Sequence, residues 1–218
     1  RSTRKESSAA SDVYKRQDIY YLAAESKDMA EGSPHLEVFK KKKLDVLFLT
    51  DPIDTFWLSM ASEFQDRKFV SITKGDIDLT AFSDDKKEKD KKTPAGIKGL
   101  VEKIKETLGE NVQDVKVSTK LVDSACCLVA ADTGMDVQME RIMKIQNKDF
   151  KGMPRILEIN PDHNIIKKLN KIKDSDKDAL NDASFLLFDQ AKMVEGELPK
   201  DIAKFNQSLS MFLTLSLG

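Results

Sequence analysis

The sequence predicts a mixed fold, α/β in its first part and α+β in its second. Short apolar runs that are typical of buried strands alternate with helical patterns between residues 18 and 79. A second set of strands and helices follows residue 95, and the chain ends in two long helical patterns. We therefore expect a small αβα subdomain, followed by a mixed α+β domain that ends in two long antiparallel helices.

Composition limits the classes of protein to which the chain can belong. Its 218 residues are 40% hydrophobic and 33% charged with a formal net charge of -1, which suits one or two globular domains without a strong field for nucleic acid or membranes. No apolar run reaches the roughly 20 residues that span a bilayer, and no signal peptide opens the chain. The nine glycines form no phosphate-binding loop.

Residues 1–17 differ from the rest of the chain. They are polar and without periodicity, and residues 12–17 look like a translated sequencing adapter, so we expect a non-native or disordered leader. Helices are predicted to open at Ser33-Pro34 and Asp51-Pro52. The buried strands predicted in this part are Ile19–Leu22, Leu44–Leu49 and Phe69–Ile72. Strands separated by helices favour a parallel sheet.

A mixed-charge segment separates the two parts of the chain. Residues 83–92 (SDDKKEKDKK) contain no apolar side chain, which predicts a linker or a loosely held charged helix. A nucleic-acid site in these lysines is an alternative, but acids nearly cancel their charge and no aromatic residues interleave for base stacking. The linker therefore separates a first unit at 18–79 from a second unit that starts after Thr93-Pro94.

The second part begins with a helix marked by Leu100, Ile104 and Leu108 and ending at Gly109. The other elements predicted there are strands at Val112–Val117, Ala125–Ala130 and Arg155–Ile159, helices at Gly134–Asn147 and Asp162–Leu169, and long helices at Asp176–Glu195 and Pro199–Leu217. In the corner LEINPDH, residues 157–163, Asn160 is expected to cap the following helix and Pro161 to occupy its first position.

Four side chains supply the good nitrogen and sulfur ligands, namely His35, His163, Cys126 and Cys127. Adjacent strand residues point to opposite faces, so the two cysteines are poor joint ligands and we expect no metal site. A nucleophilic pair of Cys126 or Cys127 with His163 defines the alternative of a stand-alone Cys/His enzyme. A buried strand makes a thiol inert, so we expect packing residues in a reducing compartment and no catalytic residue.

The helix predicted at Gly134–Asn147 has a narrow apolar stripe, formed by Met135, Met139, Ile142 and Met143. Such a stripe usually packs in a core, and the residues alone favour that interpretation. Methionine also suits surfaces that accept varied partners, because its side chain is unbranched and polarisable. A partner-binding surface is therefore the alternative.

The last two helices carry apolar stripes of different width. One consists of Leu180, Ala183, Leu187 and Ala191, and the other of Ile202, Phe205, Leu209, Phe212 and Leu213 near heptad spacing. A short connection at 196–199 makes the helices neighbours. The second stripe either packs on the preceding sheet within one chain or pairs with a second copy in a two-fold, four-helix arrangement.

Several strings in the chain resemble the heat shock protein 90 family of chaperones. In family order they are Asp18–Tyr21, Ser33–Glu37, Lys74–Leu79, Cys126-Cys127, Met139–Met143, and LEINPDH with the following Ile165–Leu169. The resemblance runs from Asp18 to the end of the chain. It implies that 18–80 is the last subdomain of the family's middle domain, 81–94 the junction, and 95–218 the C-terminal dimerisation domain.

The resemblance implies the C-terminal part of a homodimeric, ATP-driven chaperone that assists protein folding in the stress response. The family's nucleotide pocket lies upstream of Asp18, so this fragment is expected to have no enzyme activity and no cofactor, with ATP and Mg²⁺ bound elsewhere in the full-length protein. Implied partners are a second copy of the chain and unfolded or partly folded clients, with no nucleic acid and no membrane. The lack of an acidic MEEVD-type tail implies a cytoplasmic protein of bacterial or organellar type.

Two sets of site residues follow from the resemblance. The implied client-binding residues are Met135, Met139, Ile142 and Met143, with Phe56 and the adjacent Trp57 from the first part. The implied dimer contact consists of Leu187, Ala191, Ile202, Phe205, Leu209, Phe212 and Leu213. On this basis the methionine stripe is expected at a surface rather than in the core.

Overall fold

A computed structural model describes residues 18–74, 77, 79, 95–130, 140, 143, 146–147 and 152–217. The side chains of Pro52, Thr55, Phe56, Ser59 and Ser216 lie outside this description. Helices and strands are mixed in both parts of the chain and the sheets are open, which confirms the predicted fold class.

The first part is built on a small, mainly parallel sheet with the strand order β2-β1-β4-β3. Its strands are β1 (Ile19–Ala23), β2 (Leu47–Leu49), β3 (Glu63–Phe64) and β4 (Arg67–Ser71). Strand β1 pairs in parallel with both β2 and β4, as the alternation of strands and helices predicts. The expected strand at Leu44–Leu49 is shorter, and Leu47 is half exposed because β2 lies at the sheet edge.

The antiparallel edge strand β3 was not expected from the sequence. It pairs with β4 through a two-residue turn at Gln65 and Asp66, which both have positive φ angles of 50° and 61°. Two successive positive φ angles match the right-handed twist of a hairpin, but glycine or asparagine usually supplies them. Gln-Asp is therefore a weak sequence signal for this turn.

Three short helices of the described ranges accompany the first sheet. They are α1 (Lys27–Glu31), α2 (Glu37–Lys42), which a 3₁₀ turn at Pro34–Leu36 precedes, and α3 (Pro52–Met60). Asp51 caps α3 in a reciprocal capping box with Asp54, so the predicted start at Asp51-Pro52 is confirmed. The core of this part includes Tyr20 and Phe39, whose rings meet edge to face with centroids 5.0 Å apart.

A three-stranded sheet with the order β5-β7-β6 forms the centre of the second part. Its strands are β5 (Val112–Val117), β6 (Cys126–Val129) and β7 (Arg155–Ile159), all close to their predicted positions. Strand β7 pairs in parallel with β5 and antiparallel with β6, and it is buried along its whole length. The predicted helix at Gly134–Asn147 lies largely outside the described residues; Glu140, Met143 and Gln146 are helical.

Four helices of the described chain accompany this second sheet: α4 (Ile97–Leu108), α5 (Asn164–Ile172), α6 (Lys177–Val194) and α7 (Ile202–Leu217). Helix α4 ends at Gly109, as predicted. The apolar residues of α4, α5 and α6 pack with alternate residues of the strands in one core. Leu128, Leu157 and Ile166 are among its fully buried side chains.

The LEINPDH corner differs from the prediction in how its polar residues are used. His163, rather than Asn160, is the N-cap of α5, and its Nδ1 accepts the N–H of Ile165 at 3.2 Å. Pro161 lies in the turn before the helix. The Asn160 amide is occupied elsewhere, because its Nδ2 donates to the carbonyls of Val122 at 3.1 Å and Ser124 at 3.0 Å.

The two parts of the chain are in contact. The N–H of Ala130 donates to the carbonyl of Thr73 at 3.1 Å, and Lys120 Nζ donates to the carbonyl of Lys74 at 2.7 Å. Buried His35 lies with Nε2 3.2 Å from Glu195 Oε1. The two hydrophobic cores are therefore joined by polar bonds at their boundary. Within the described ranges, no helix is both long and apolar enough to cross a membrane.

Candidate functional site

Helix α6 turns its apolar stripe toward the sheet of its own chain. Leu180, Ala183, Leu187 and Ala191 are all buried in the second core. The carbonyl of Leu187 accepts a hydrogen bond from Cys126 Sγ, 3.4 Å away on β6. Leu187 and Ala191, which we expected in a dimer contact, are thus already covered within one chain.

Helix α7 leaves a large part of its apolar stripe uncovered. Ile202 is 52%, Leu209 38% and Leu213 51% exposed. Phe205 and Phe212 are half buried, and Phe212 packs against the second core. Five residues of the expected dimer contact therefore lie on α7. Three of them are exposed to solvent, and the two phenylalanines lie where α7 meets the rest of the chain.

Further apolar residues are exposed on other sides of α7. Met211, Leu215 and Leu217 are exposed on the same helix, and Leu217 is one residue from the end of the chain. We did not single out these residues from the sequence. Helical spacing places Met211 and Leu215 away from Ile202, Leu209 and Leu213, so α7 exposes apolar side chains on more than one side. Exposed apolar surface of this extent marks an interaction site on soluble proteins.

The aromatic residue of the expected client surface is ordered by local contacts. Trp57 lies on α3, half buried, and its Nε1–H donates to Asp54 Oδ1 at 3.0 Å. Its ring meets Phe69 of β4 edge to face, with centroids 5.4 Å apart. The side chain of Phe56 lies outside the described part of the chain. Trp57 is therefore held in place while part of its ring remains accessible.

Two neighbours of Trp57 on α3 are strongly exposed. Ile53 is 62% and Met60 83% exposed, and with Trp57 they follow the spacing i, i+4, i+7 of one helix face. Phe64, on the adjacent edge strand β3, is also exposed. Sequence reasoning missed this stripe, although the helical spacing in PIDTFWLSM was a signal that could have revealed it.

The methionine stripe falls mostly outside the described residues. Met135, Met139 and Ile142 lie there, whereas Met143 is helical and half buried. Glu140 of the same helical stretch is buried, with Oε1 3.6 Å from Arg155 on β7. Arg155 also pairs with Glu197. Burial lowers the pKa of Arg155, but the two glutamates outweigh it and raise that pKa overall. This ion pair joins Glu140 to β7.

The residues of the alternative Cys/His enzyme are not brought together. Burial raises the pKa of the Cys126 thiol to about 12, and burial with the nearby Glu158 raises the pKa of Cys127. The His163 ring serves as a helix cap. In the described ranges no hydrogen bond joins Cys127 to His163, and no group of three His, Cys, Asp or Glu side chains is arranged to hold a metal ion.

Comparison with known proteins gives a consistent family assignment. The family model described as Hsp90 protein matches residues 10–218. Proteins named Chaperone protein HtpG from Burkholderia ambifaria, Burkholderia cenocepacia and Burkholderia orbicola are each 42% identical over 187 residues. The aligned region is 86% of this chain and 29% of each relative, so the chain spans less than a third of their length. With its family pattern matched over nearly the whole chain, the protein belongs to the Hsp90 family.

Proposed function

We propose that the chain is the C-terminal part of an ATP-dependent chaperone of bacterial Hsp90 type, and that this part provides homodimerisation and client binding. Family membership and the bacterial chaperones among its relatives support the general role. The uncovered apolar face of α7 is the observation that supports the role in dimerisation. A cytoplasmic location is part of the same proposal, in keeping with the bacterial relatives.

The dimer contact that we propose consists of the α7 residues Ile202, Phe205, Leu209, Phe212 and Leu213. Helix α6 packs on the sheet and supports α7 from behind, so the two form a platform with one apolar side outward. A two-fold axis beside α7 would bring the same stripe of a second chain against it. The near-heptad spacing of these residues suits packing between helices of two copies.

Charge substitution on this face tests the proposal. Leu209→Asp with Leu213→Asp should raise the dimer dissociation constant at least about tenfold, since a tenfold change needs only about 1.4 kcal/mol and each change places a charge in an apolar contact. Both residues are exposed within the chain, so the fold should persist. Light scattering coupled to size-exclusion chromatography measures the association over a range of concentrations.

The matched control is Gln207→Asp with Thr214→Asp. These residues are exposed on the same helix, seven positions apart on the side away from Ile202, Leu209 and Leu213, and the substitutions add the same charge outside the apolar stripe. The control should dimerise as the unmodified chain does. Equal weakening by both pairs would mean that net charge, rather than the α7 stripe, governs association. No weakening by either pair would remove α7 from the dimer contact.

The client surface that we propose combines the methionine stripe with α3. Trp57 presents part of an ordered ring, and Ile53 and Met60 flank it on the same face. Unfolded chains expose apolar segments of varied sequence, and methionine and tryptophan side chains can contact many of them. The exposed stripe of α3 supports this role for the first part of the chain.

A further inference from the structure

The side chain of Glu37 crosses from the first part of the chain to the second. Glu37 is the first residue of α2, and its carboxylate meets the loop at residues 122–124, between β5 and β6. It accepts the backbone N–H groups of Val122 at 2.6 Å, Asp123 at 2.8 Å and Ser124 at 3.0 Å. The hydroxyl of Ser124 donates to the same carboxylate.

This arrangement has the chemistry of an anion-binding site. Three successive N–H groups and one hydroxyl converge on a single carboxylate, which is an acceptor only. Hydrogen bonds to a charged acceptor are about twice as strong as those between neutral groups. Burial raises the pKa of Glu37, but the bonds from Ser124, Val122 and Asp123 outweigh it and lower the pKa overall. The loop therefore favours the ionised carboxylate.

Asn160 supports the loop from its other side. Its Nδ2 donates to the carbonyls of Val122 and Ser124, the first and last residues of the site. Its Oδ1 accepts the N–H of Asp162 at 3.0 Å, and the residue is buried at the end of β7. Asn160 binds the carbonyls of Val122 and Ser124 on one side of the loop, and the N–H groups of these two residues point to Glu37 on the other side.

We infer that residues 122–124 form an anion-binding site shaped by Asn160, that the Glu37 carboxylate is its resident ligand, and that this occupancy holds the two parts of the chain in one orientation. The bonds from Ala130 to Thr73 and from Lys120 to Lys74 each involve one donor, whereas Glu37 accepts hydrogen bonds from four. The site operates within one chain, so it depends neither on the proposed dimer contact nor on the proposed client surface.

Amide hydrogen exchange tests the site directly. Glu37→Gln should speed exchange at Val122, Asp123 and Ser124 by about tenfold, because the charged acceptor of their N–H groups is lost. Glu31→Gln is the matched control: it removes the same charge from an exposed position on the neighbouring α1. Equal exchange at these three amides in the two variants would overturn the inference.

The orientation claim needs a distance measurement between the two parts. Spin labels at Lys68→Cys and Lys98→Cys lie at exposed positions in different parts, while the native thiols are buried. Both Glu37→Gln and Asn160→Ala should broaden the label-to-label distance distribution, and Glu31→Gln should not. Ser124→Ala, which removes one donor from a half-buried position, provides a milder variant if Asn160→Ala fails to fold. A distribution unchanged in Glu37→Gln would overturn the claim.

Chemical rescue tests the class of ligand. In Glu37→Ala the four donors have no resident carboxylate, so added sodium acetate should restore slow exchange at residues 122–124, whereas sodium chloride at equal ionic strength should not. The double variant Glu37→Ala with Ser124→Ala should be rescued less, because one donor is missing. Acetate with no greater effect than chloride would refute a carboxylate site.

Discussion

At the scale of residues, the adjacent cysteines face different surroundings. Cys126 packs in the second core against α6, whereas Cys127 lies with Val129 and Ile156 on the other face of the sheet. Their opposite orientations confirm the expectation from strand geometry, and their burial confirms that they are packing residues. Glu158, opposite Cys127 in the strand register, adds negative charge that opposes thiolate formation.

These surroundings predict that neither thiol reacts in the folded protein. A free cysteine has a pKa near 8.5, so exposed thiols alkylate increasingly fast between about pH 7 and pH 9. Cys126 and Cys127 should stay unmodified over this range, because their pKa values are raised and both side chains are buried. Mass spectrometry after brief exposure to iodoacetamide measures the modification, with urea-unfolded chain as the positive control. Fast alkylation of Cys127 at neutral pH would contradict this prediction and support the alternative of a Cys/His enzyme.

For Asn160, the sequence predicts that the side chain bonds backbone groups but does not predict which ones. Its type and position before a helical pattern correctly indicate a side chain that bonds backbone groups. The sequence does not show that the loop at 122–124 would offer it two carbonyls, because that loop is far away along the chain. Because the Asn160 side chain bonds the loop, His163 caps α5 instead.

At the scale of elements, amphipathic stripes predict helices more readily than they predict what covers them. The stripes of α6 and α7 have similar residue types and periods, but α6 is buried against β6 and α4 while α7 remains largely open. Tertiary contacts decide which of the two helices packs on the sheet, and an apolar stripe alone does not specify them. For this reason the sequence predicted both helices, yet Leu187 and Ala191 were grouped with the exposed residues of α7.

The stripe on α3 leads to a prediction about client binding. Ile53→Ser with Met60→Ser should reduce the ability of the chain to delay aggregation of a thermally unfolded model client, because it removes exposed apolar contacts beside Trp57. Turbidity at a fixed ratio of chain to client measures the delay. Met139→Ser with Met143→Ser should act in the same direction.

The control for this experiment removes apolar surface elsewhere. Met193→Ser with Leu198→Ser changes one exposed residue at the end of α6 and one just after it, both away from α3. This variant should suppress aggregation as well as the unmodified chain. An equal loss in both variants would show that any exposed apolar residue suffices, and no loss in either would exclude α3 from the client surface.

At the scale of the whole molecule, two hydrophobic cores lie on either side of residues 80–94. The mixed-charge segment at 83–92 is the reason that we expect a boundary here, and it lies outside the described residues. The bonds that join the two parts could not be predicted from the sequence. The local pattern indicates only that Glu37 starts a helix, that Lys120 lies in a loop and that His35 lies in a turn, whereas their partners are far away along the chain.

The exposed face of α7 should make this chain a dimer in solution, and sedimentation equilibrium of the unmodified chain measures its mass without labels or substitutions. Over a range of loading concentrations, the weight-average mass should rise toward twice the 24.6 kDa of one chain, because two apolar α7 faces leave water on association. A contact of about 6 to 7 kcal/mol would be half formed at tens of micromolar. A mass that stays at 24.6 kDa up to that concentration would show that the α7 face does not join two chains.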